Sequence, residues 1–159
     1  MGIIDMRNTM LKFRRSTALL ATLLMTLLST PAFAAQTIVT LYKNLQCTCC
    51  EAYVKFLEEQ GFKVEVKPVP GLHSIDQKAG VPEALEGCHT SFIDGYVVIG
   101  HVPIGAIHKL LAERPNIVGI SIPGMPANLP GMPGPRSYSV AIHEITAGGS
   151  TSKIFMTVP

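Results

Sequence analysis

The sequence lacks the motifs that mark several common classes of enzyme. It contains no Ser-His-Asp arrangement, no carboxylate pair in a plausible cleft, no phosphate-binding loop and no dinucleotide-binding fingerprint. Serine hydrolase and nucleotide-dependent chemistry are therefore unsupported. Cysteine is also scarce, because only four of the 159 residues are cysteines, and these four lie in two short clusters. The chemistry of those few thiols is what has to be explained.

A basic excess is also missing once the N-terminus is set aside. The whole chain has a formal net charge of +2, but four of its 13 basic residues and one of its 11 acidic residues lie in residues 1–34. Residues 35–159 therefore carry a net charge of −1 with histidine neutral. Nothing in that part of the chain favours nucleic acid or an anionic membrane as a partner.

The first 34 residues have the pattern of a cleaved signal peptide. A basic segment precedes a short apolar run, Ala18–Leu28, and Ala32-Phe33-Ala34 forms an A-x-A cleavage site. Cleavage after Ala34 would release residues 35–159 as one domain into the periplasm, with no membrane span. Because the apolar run is short for a span, a retained single-helix anchor is the less favoured alternative. Met10, just before the basic segment, is an alternative start.

The order of apolar patterns predicts an α/β fold of the thioredoxin type. Thr37–Tyr42 is rich in β-branched and aromatic residues, and helical spacing follows from Glu51 until Gly61 ends it. A second strand, a hairpin turning at Asp94-Gly95 and a helix with Pro103 at its first position come next. We therefore expect one thioredoxin-like domain, with a central mixed sheet flanked by helices and a C-terminal Pro/Gly-rich loop and strand. The other predicted elements are strands at Lys63–Val69, Thr90–Ile93, Tyr96–Ile99 and Ser137–Ile145, brief helices at Ser74–Lys78 and Pro82–Leu85, and a final strand or frayed end at Lys153–Pro159.

Three of the cysteines lie where the first predicted strand passes into the first predicted helix. At Cys47-Thr48-Cys49-Cys50 the unpaired amide groups and the dipole of the helix favour negative charge, and hence thiolates. A thiolate is both the nucleophile of disulfide exchange and a soft ligand for copper(I) or zinc. In thioredoxins the segment before the hairpin faces this turn, so Cys88 is expected close to the other three thiols.

The thiols leave three interpretations open. The first is a site for copper(I), the soft ion that a set of thiolate ligands favours. Zinc is less favoured, because a four-cysteine zinc site usually uses two pairs of cysteines, and Cys88 has no second cysteine beside it. The second is a metal-independent thiol–disulfide oxidoreductase, in which Cys47 attacks and Cys50 or Cys88 resolves. The third is a binding module stapled by disulfides. A Cys49–Cys50 bond would be strained, whereas Cys47–Cys50, or a bond from the trio to Cys88, is sterically easy.

Six short motifs follow one another along the chain. They are Leu41-Tyr42-Lys43-Asn44, Cys47-Thr48-Cys49-Cys50-Glu51, Cys88-His89-Thr90, Gly100-His101-Val102-Pro103, Leu110-Leu111-Ala112-Glu113-Arg114-Pro115 and Pro123-Gly124-Met125-Pro126. In this order and spacing they resemble the domain-of-unknown-function 411 (DUF411) family of CopG-like periplasmic copper-resistance proteins. The resemblance covers roughly residues 37–132, and it implies a thioredoxin-like domain that holds copper as a thiolate cluster, with a redox role in copper tolerance. Copper ions and other periplasmic copper-handling proteins would be its partners. One departure is Thr48, where a glycine is expected, but no ligand is lost.

Histidine and methionine supply further candidate ligands. His89 is expected to bind metal or support a ligand, since it adjoins Cys88, although it is equally placed as a plain strand residue. His101 is expected to cap a helix or hydrogen-bond a carbonyl group, with a metal role as the alternative. Met125 and Met132 lie in a Pro-Gly-Met-Pro segment that repeats after seven residues. Their side chains are expected to pack the loop against the core, although thioether binding of copper(I) is an alternative.

Overall fold

A seven-stranded mixed sheet is the framework of the computed structural model, which describes residues 36–148 and 153–159. The predicted leader and its cleavage site lie outside these residues. The spatial order of the strands is β2-β1-β3-β4-β5-β6-β7. The β1–β2 and β4–β5 pairs are parallel, and all the other neighbours are antiparallel. In chain order the strands β1 to β7 are Ile38–Asn44, Lys63–Val69, His89–Ile93, Tyr96–Ile99, Gly119–Ser121, Val140–Ile145 and Ile154–Val158.

Helix α1, Thr48–Glu59, begins directly after Cys47 and so includes two of the clustered cysteines. It ends in a Schellman motif at Gly61, whose φ of 90° needs a residue without a Cβ. There the Gly61 N–H bonds the Glu58 carbonyl at 2.9 Å, and the Phe62 N–H bonds the Leu57 carbonyl at 3.2 Å. This stop returns the chain to the sheet as β2, parallel to β1.

The remaining helices are short or lie after the hairpin. Helix α2 is His73–Lys78, a 3₁₀ turn spans Glu83–Leu85, and helix α3 is Ile104–Glu113. Pro103 is the residue before α3, with an extended ψ of 151°, so its predicted place at the first helical position was wrong by one residue. Among the described residues, no helix is long and apolar enough to cross a membrane.

The predicted element order from β1 to α3 is observed, and the α/β class is confirmed. Asp94 and Gly95 both have positive φ values, 46° and 87°, as a two-residue hairpin turn requires. The thioredoxin-like assignment itself stays a prediction. The strand predicted at Ser137–Ile145 begins only at Val140, and the final strand is present as β7. Strand β5 was not predicted, because three residues show no periodicity.

Each face of the sheet buries its own apolar cluster. The larger cluster includes Val39 and Leu41 of β1, Tyr53 of α1 and Leu110 of α3, all with no exposed surface. The smaller one, around Ile99 and Ile145, lies apart from it. Because residues alternate between faces along a strand, odd-numbered positions of β1 face the cluster that contains α1. The cysteines follow β1 on that side.

Asp76 in α2 is a buried carboxylate near the start of β3. It accepts a 2.5 Å hydrogen bond from the Thr90 hydroxyl, while its Oδ2 atom has no hydrogen-bond partner within residues 36–148 and 153–159. Burial raises the pKa of Asp76, and the Thr90 hydrogen bond opposes that rise. The Thr90–Asp76 bond ties the β2–β3 connection to the strand that carries His89.

Candidate metal centre

The β1–α1 junction places three sulfur atoms at the N-terminus of a helix. Cys47 is the residue before α1, with an extended backbone and no side-chain capping hydrogen bond, so its sulfur does not serve as a cap. Cys49 and Cys50 occupy the first turn, where unpaired amide N–H groups favour negative charge. Cys50 is buried, and Cys47 and Cys49 are half-buried.

Strand β3 brings the fourth sulfur to this junction. In the antiparallel β1–β3 pair His89 lies opposite Lys43, so Cys88 lies level with the loop that leaves β1. The Cys50 sulfur is 3.4 Å from the Cys88 carbonyl oxygen. The four sulfur atoms, those of Cys47, Cys49, Cys50 and Cys88, all lie within 4.8 Å of one another. The predicted gathering of the four sulfurs is thus observed, and their role as metal ligands stays a prediction.

Two of the four sulfurs are joined. A disulfide links Cys47 and Cys50, whose Cα atoms are 5.4 Å apart, at the C-x-x-C spacing. Cys49 and Cys88 are free thiols, and the Cys49 sulfur lies 3.4 Å from that of Cys47. The site therefore contains one disulfide with two free thiols beside it. This set of sulfurs suits either disulfide exchange or, after reduction, the binding of a soft metal ion.

Two buried imidazoles extend the cluster beyond Cys88. The Cys88 sulfur is 3.3 Å from His89 Nδ1 and 3.3 Å from His101 Nε2. The three candidate ligand atoms of Cys88, His89 and His101 lie within 4.8 Å of one another, so Cys88 belongs to both groups. His89 is fully buried, and its Nε2 atom has no hydrogen-bond partner among the described residues. The nitrogen that faces the Cys88 sulfur is Nδ1, so Nδ1 is the His89 atom that could bind a metal ion together with this thiol.

Burial sets the protonation states of these three side chains. It lowers the pKa of His89 to about 3, with His101 as a second cause, and it lowers the pKa of His101 as well. Burial also raises the pKa of Cys88 to about 12, and the nearby Cys49 adds to that rise. At neutral pH both imidazoles are uncharged, which is the form that binds metal, and Cys88 is a neutral thiol.

Tyr53 supports the two imidazoles from α1. Its ring centroid is 4.6 Å from that of His89 and 5.2 Å from that of His101, and the two imidazole centroids are 4.9 Å apart. Its hydroxyl donates a 2.8 Å hydrogen bond to the Val102 carbonyl. The helical spacing of the sequence placed Tyr53 in the core, but no local signal showed that it packs against both histidines.

The structure changes the ranking of the other candidates. His101 hydrogen-bonds a carbonyl group, that of Pro130, as expected, and it also lies against Cys88. Met132 packs on the core as expected. The side chain of Met125 is 61% exposed, so the expectation that it also packs against the core was wrong. His73 contacts Glu86 at 2.8 Å on the surface, away from the thiols. His101 is therefore as strong a candidate ligand as His89.

The donor set fits a soft or borderline metal ion. Four sulfurs form one group, Cys88 and two neutral imidazoles form the other, and carboxylates take no part in either group. Two of the sulfurs become thiolates only after the Cys47–Cys50 bond is reduced. The residues that could hold an ion are thus Cys88, His89 and His101 in the disulfide form, and Cys47, Cys49, Cys50 and Cys88 after reduction.

The chain is similar to one described family and to two solved structures. The family model described as "Protein of unknown function, DUF411" matches residues 85–132, which include Cys88, His89 and His101. Two solved structures, named "Copper resistance protein copG- Form 2" and "Form 1", are each 34% identical to the chain, with a TM-score of 0.71. Each alignment covers 78% of this chain, and they cover 99% and 98% of the solved chains. No curated protein matches the sequence.

Proposed function

The chain belongs to the DUF411 family together with the copper resistance protein CopG, and on this premise we propose that it is a periplasmic copper-binding protein. It holds copper(I) through Cys47, Cys49, Cys50 and Cys88, with His89 beside them, and serves copper tolerance. The observation that carries the proposal is the convergence of four sulfur atoms within 4.8 Å. Thiolates are soft ligands, and copper(I) is a soft ion that they select.

The redox state of the Cys47–Cys50 pair controls how much copper the site accepts. Reduction of this disulfide takes two electrons and two protons from a dithiol reductant, and it yields two thiols at positions 47 and 50. Copper(I) binding then displaces protons from the thiols. In the oxidised form only Cys49 and Cys88 remain as thiols. An oxidised partner disulfide then takes two electrons and two protons from the dithiol, which re-forms the Cys47–Cys50 bond and releases copper(I). The redox role in copper tolerance is this cycle between a copper-binding dithiol and a disulfide.

Location and partners complete the proposal. Export rests on the predicted leader, residues 1–34, and the domain is residues 35–159. In the periplasm the proposed partners are copper ions and other copper-handling proteins. Such partners could reach the site, because Cys47, Cys49 and Cys88 are each partly exposed to solvent.

A metal-independent thiol–disulfide oxidoreductase is the second candidate function. The observation that favours it is the disulfide between Cys47 and Cys50, at the spacing that such enzymes use. A third thiol 3.4 Å from Cys47 weighs against it, because Cys49 would compete for every mixed disulfide. Copper retention separates the two candidates.

Copper titration of the reduced and the oxidised protein tests the proposal. Protein reduced without oxygen should contain four thiols, and copper(I) should protect the partly exposed ones, Cys47, Cys49 and Cys88, from a thiol reagent until a chelator removes the metal. The oxidised protein should show two reactive thiols and bind less copper(I). Full thiol reactivity in the presence of copper(I), or equal copper binding by the two forms, would contradict the proposal and favour the oxidoreductase.

A further inference from the structure

The two Pro-Gly-Met-Pro segments share a sequence and a positive glycine φ but not an environment. We call residues 123–126 the first segment and residues 130–133 the second segment. Their glycines, Gly124 and Gly131, have φ values of 74° and 76°. A Cβ atom added at Gly124 would meet nothing within 4 Å. A Cβ atom added at Gly131 would lie 2.9 Å from the Tyr53 amide nitrogen and 3.1 Å from the Cys49 carbonyl oxygen.

The second segment is therefore packed against the first turns of α1, and its neighbours hold it there. Leu129, just before it, is buried in the larger core cluster. The Met132 N–H donates a 2.8 Å hydrogen bond to the Leu129 carbonyl, which closes a tight turn. Met132 packs on the core, whereas Met125 of the first segment is exposed. Only close approach of the glycine backbone permits this contact with the helix that carries the cysteines.

The turn presents one backbone group to the candidate metal centre. The Pro130 carbonyl oxygen is 2.7 Å from His101 Nδ1. Because a carbonyl can only accept, the Nδ1 atom must carry the proton. In the neutral imidazole with its proton on Nδ1, the Nε2 atom has a free lone pair. That lone pair lies 3.3 Å from the Cys88 sulfur.

We propose that the second segment is a positioning element for the copper site, and that it acts through His101. The Pro130 carbonyl holds His101 in the Nδ1–H tautomer, and Gly131 allows the turn to come close enough to do so. The Nε2 atom is thereby aimed at Cys88, where it serves as a ligand to the same copper ion. The ligand role rests on the proposed function, whereas the tautomer does not. The first segment, with the same sequence, has no part in the site.

The tautomer of His101 in the reduced, metal-free protein is the direct test. The ¹⁵N chemical shifts of an imidazole distinguish a protonated ring nitrogen from an unprotonated one. Wild-type protein should show His101 protonated at Nδ1, and so should Gly124→Ala, which carries the same backbone strain in open space. Gly131→Ala should shift His101 towards the Nε2–H form or a mixture. Protonation of His101 at Nε2 in the wild-type protein would overturn the proposal without any variant. An unchanged His101 spectrum in folded Gly131→Ala would overturn it as well.

Copper affinity tests whether the turn acts through His101. Loss of a group that orients a ligand typically costs about 10- to 100-fold in metal affinity. Gly131→Ala should therefore weaken copper(I) binding by roughly 10-fold or more relative to Gly124→Ala. In a His101→Ala background, Gly131→Ala should have no further effect. A second full loss in that background would overturn the proposal, because the turn would then act without His101.

Two methionine variants separate positioning by the backbone from positioning by a side chain. Met132→Leu keeps an apolar side chain of similar volume, so the turn and the Nδ1–H tautomer should persist, as they should in Met125→Leu. A shift of His101 towards the Nε2–H form in folded Met132→Leu, with Met125→Leu unchanged, would overturn the backbone role, because the Met132 side chain would then hold the turn. If wild-type protein binds no copper(I), the proposed function fails, while the tautomer experiment still decides the role of Pro130.

Discussion

Replacing Cys88 by serine is expected to reduce bound copper(I) as strongly as replacing Cys49, although 39 residues separate the two positions. Their sulfur atoms belong to one group in which every sulfur lies within 4.8 Å of the others. Each thiolate supplies negative charge and a soft donor, so loss of any one exposes the ion to water. We expect each variant to retain less than about half of the wild-type copper per chain, since either loss breaks the shared site. Copper and protein measured after gel filtration of the reduced variants provide the check.

A C-x-x-C oxidoreductase predicts the opposite pattern for the same variants. Cys47→Ser and Cys50→Ser would abolish exchange, whereas Cys49→Ser would be nearly silent. Thr48→Ala is the matched control, because it changes an exposed residue of the same turn and removes no sulfur. It should keep full copper. If Cys49→Ser and Cys88→Ser keep full copper while Cys47→Ser loses it, a two-thiolate site replaces the four-sulfur site.

Gly119→Ala is expected to destabilise the domain by about 3 kcal/mol or more, because it forces atoms into a packed sheet. Gly119 pairs with Val97 in the parallel β4–β5 ladder. A Cβ atom at Gly119 would lie 1.8 Å from the Val97 carbonyl oxygen and 2.6 Å from its carbonyl carbon. Neither backbone atom can move away without disrupting the pairing of β4 with β5. The C-terminal strands β5, β6 and β7 would lose their attachment to the strands that carry the site.

Gly105→Ala in helix α3 is the matched control for that prediction. A Cβ atom at Gly105 would meet nothing within 4 Å, and the position is exposed. Alanine there should stabilise the protein by less than about 0.5–1 kcal/mol, the cost of glycine in a helix interior, because Gly105 lies in the first turn of α3. Urea unfolding of the reduced, metal-free variants measures both changes. Equal unfolding midpoints for the two variants would contradict the packing of Gly119 against Val97.

The N-terminal half of the domain was predictable because its signals are local. β-Branched runs, the Gly61 stop and the Asp94-Gly95 turn each act within a few residues, and they fixed β1, α1 and the hairpin. The position of Cys88 beside the trio was expected from the resemblance of the element order to thioredoxins. Alternation predicted β2 with its observed bounds, Lys63–Val69.

The remainder depends on contacts between distant residues. Strand β5 has three residues, and its glycine reflects a close approach that no local pattern reveals. The place of His101 beside Cys88 depends on Pro130, which lies 29 residues later in the chain. The two Pro-Gly-Met-Pro segments look alike in sequence, and only packing against α1 distinguishes Met132 from Met125. Which cysteines form the disulfide was also open, since several pairs were sterically allowed.

The most direct measurement of the central claim is X-ray absorption at the copper edge on reduced protein loaded with copper(I). The four-sulfur site predicts a nearest shell dominated by sulfur, together with an edge characteristic of copper(I). Cys88→Ser should lower the number of sulfur neighbours per copper ion. A nearest shell of nitrogen and oxygen alone in the wild-type protein would contradict the claim that these four cysteines hold the metal.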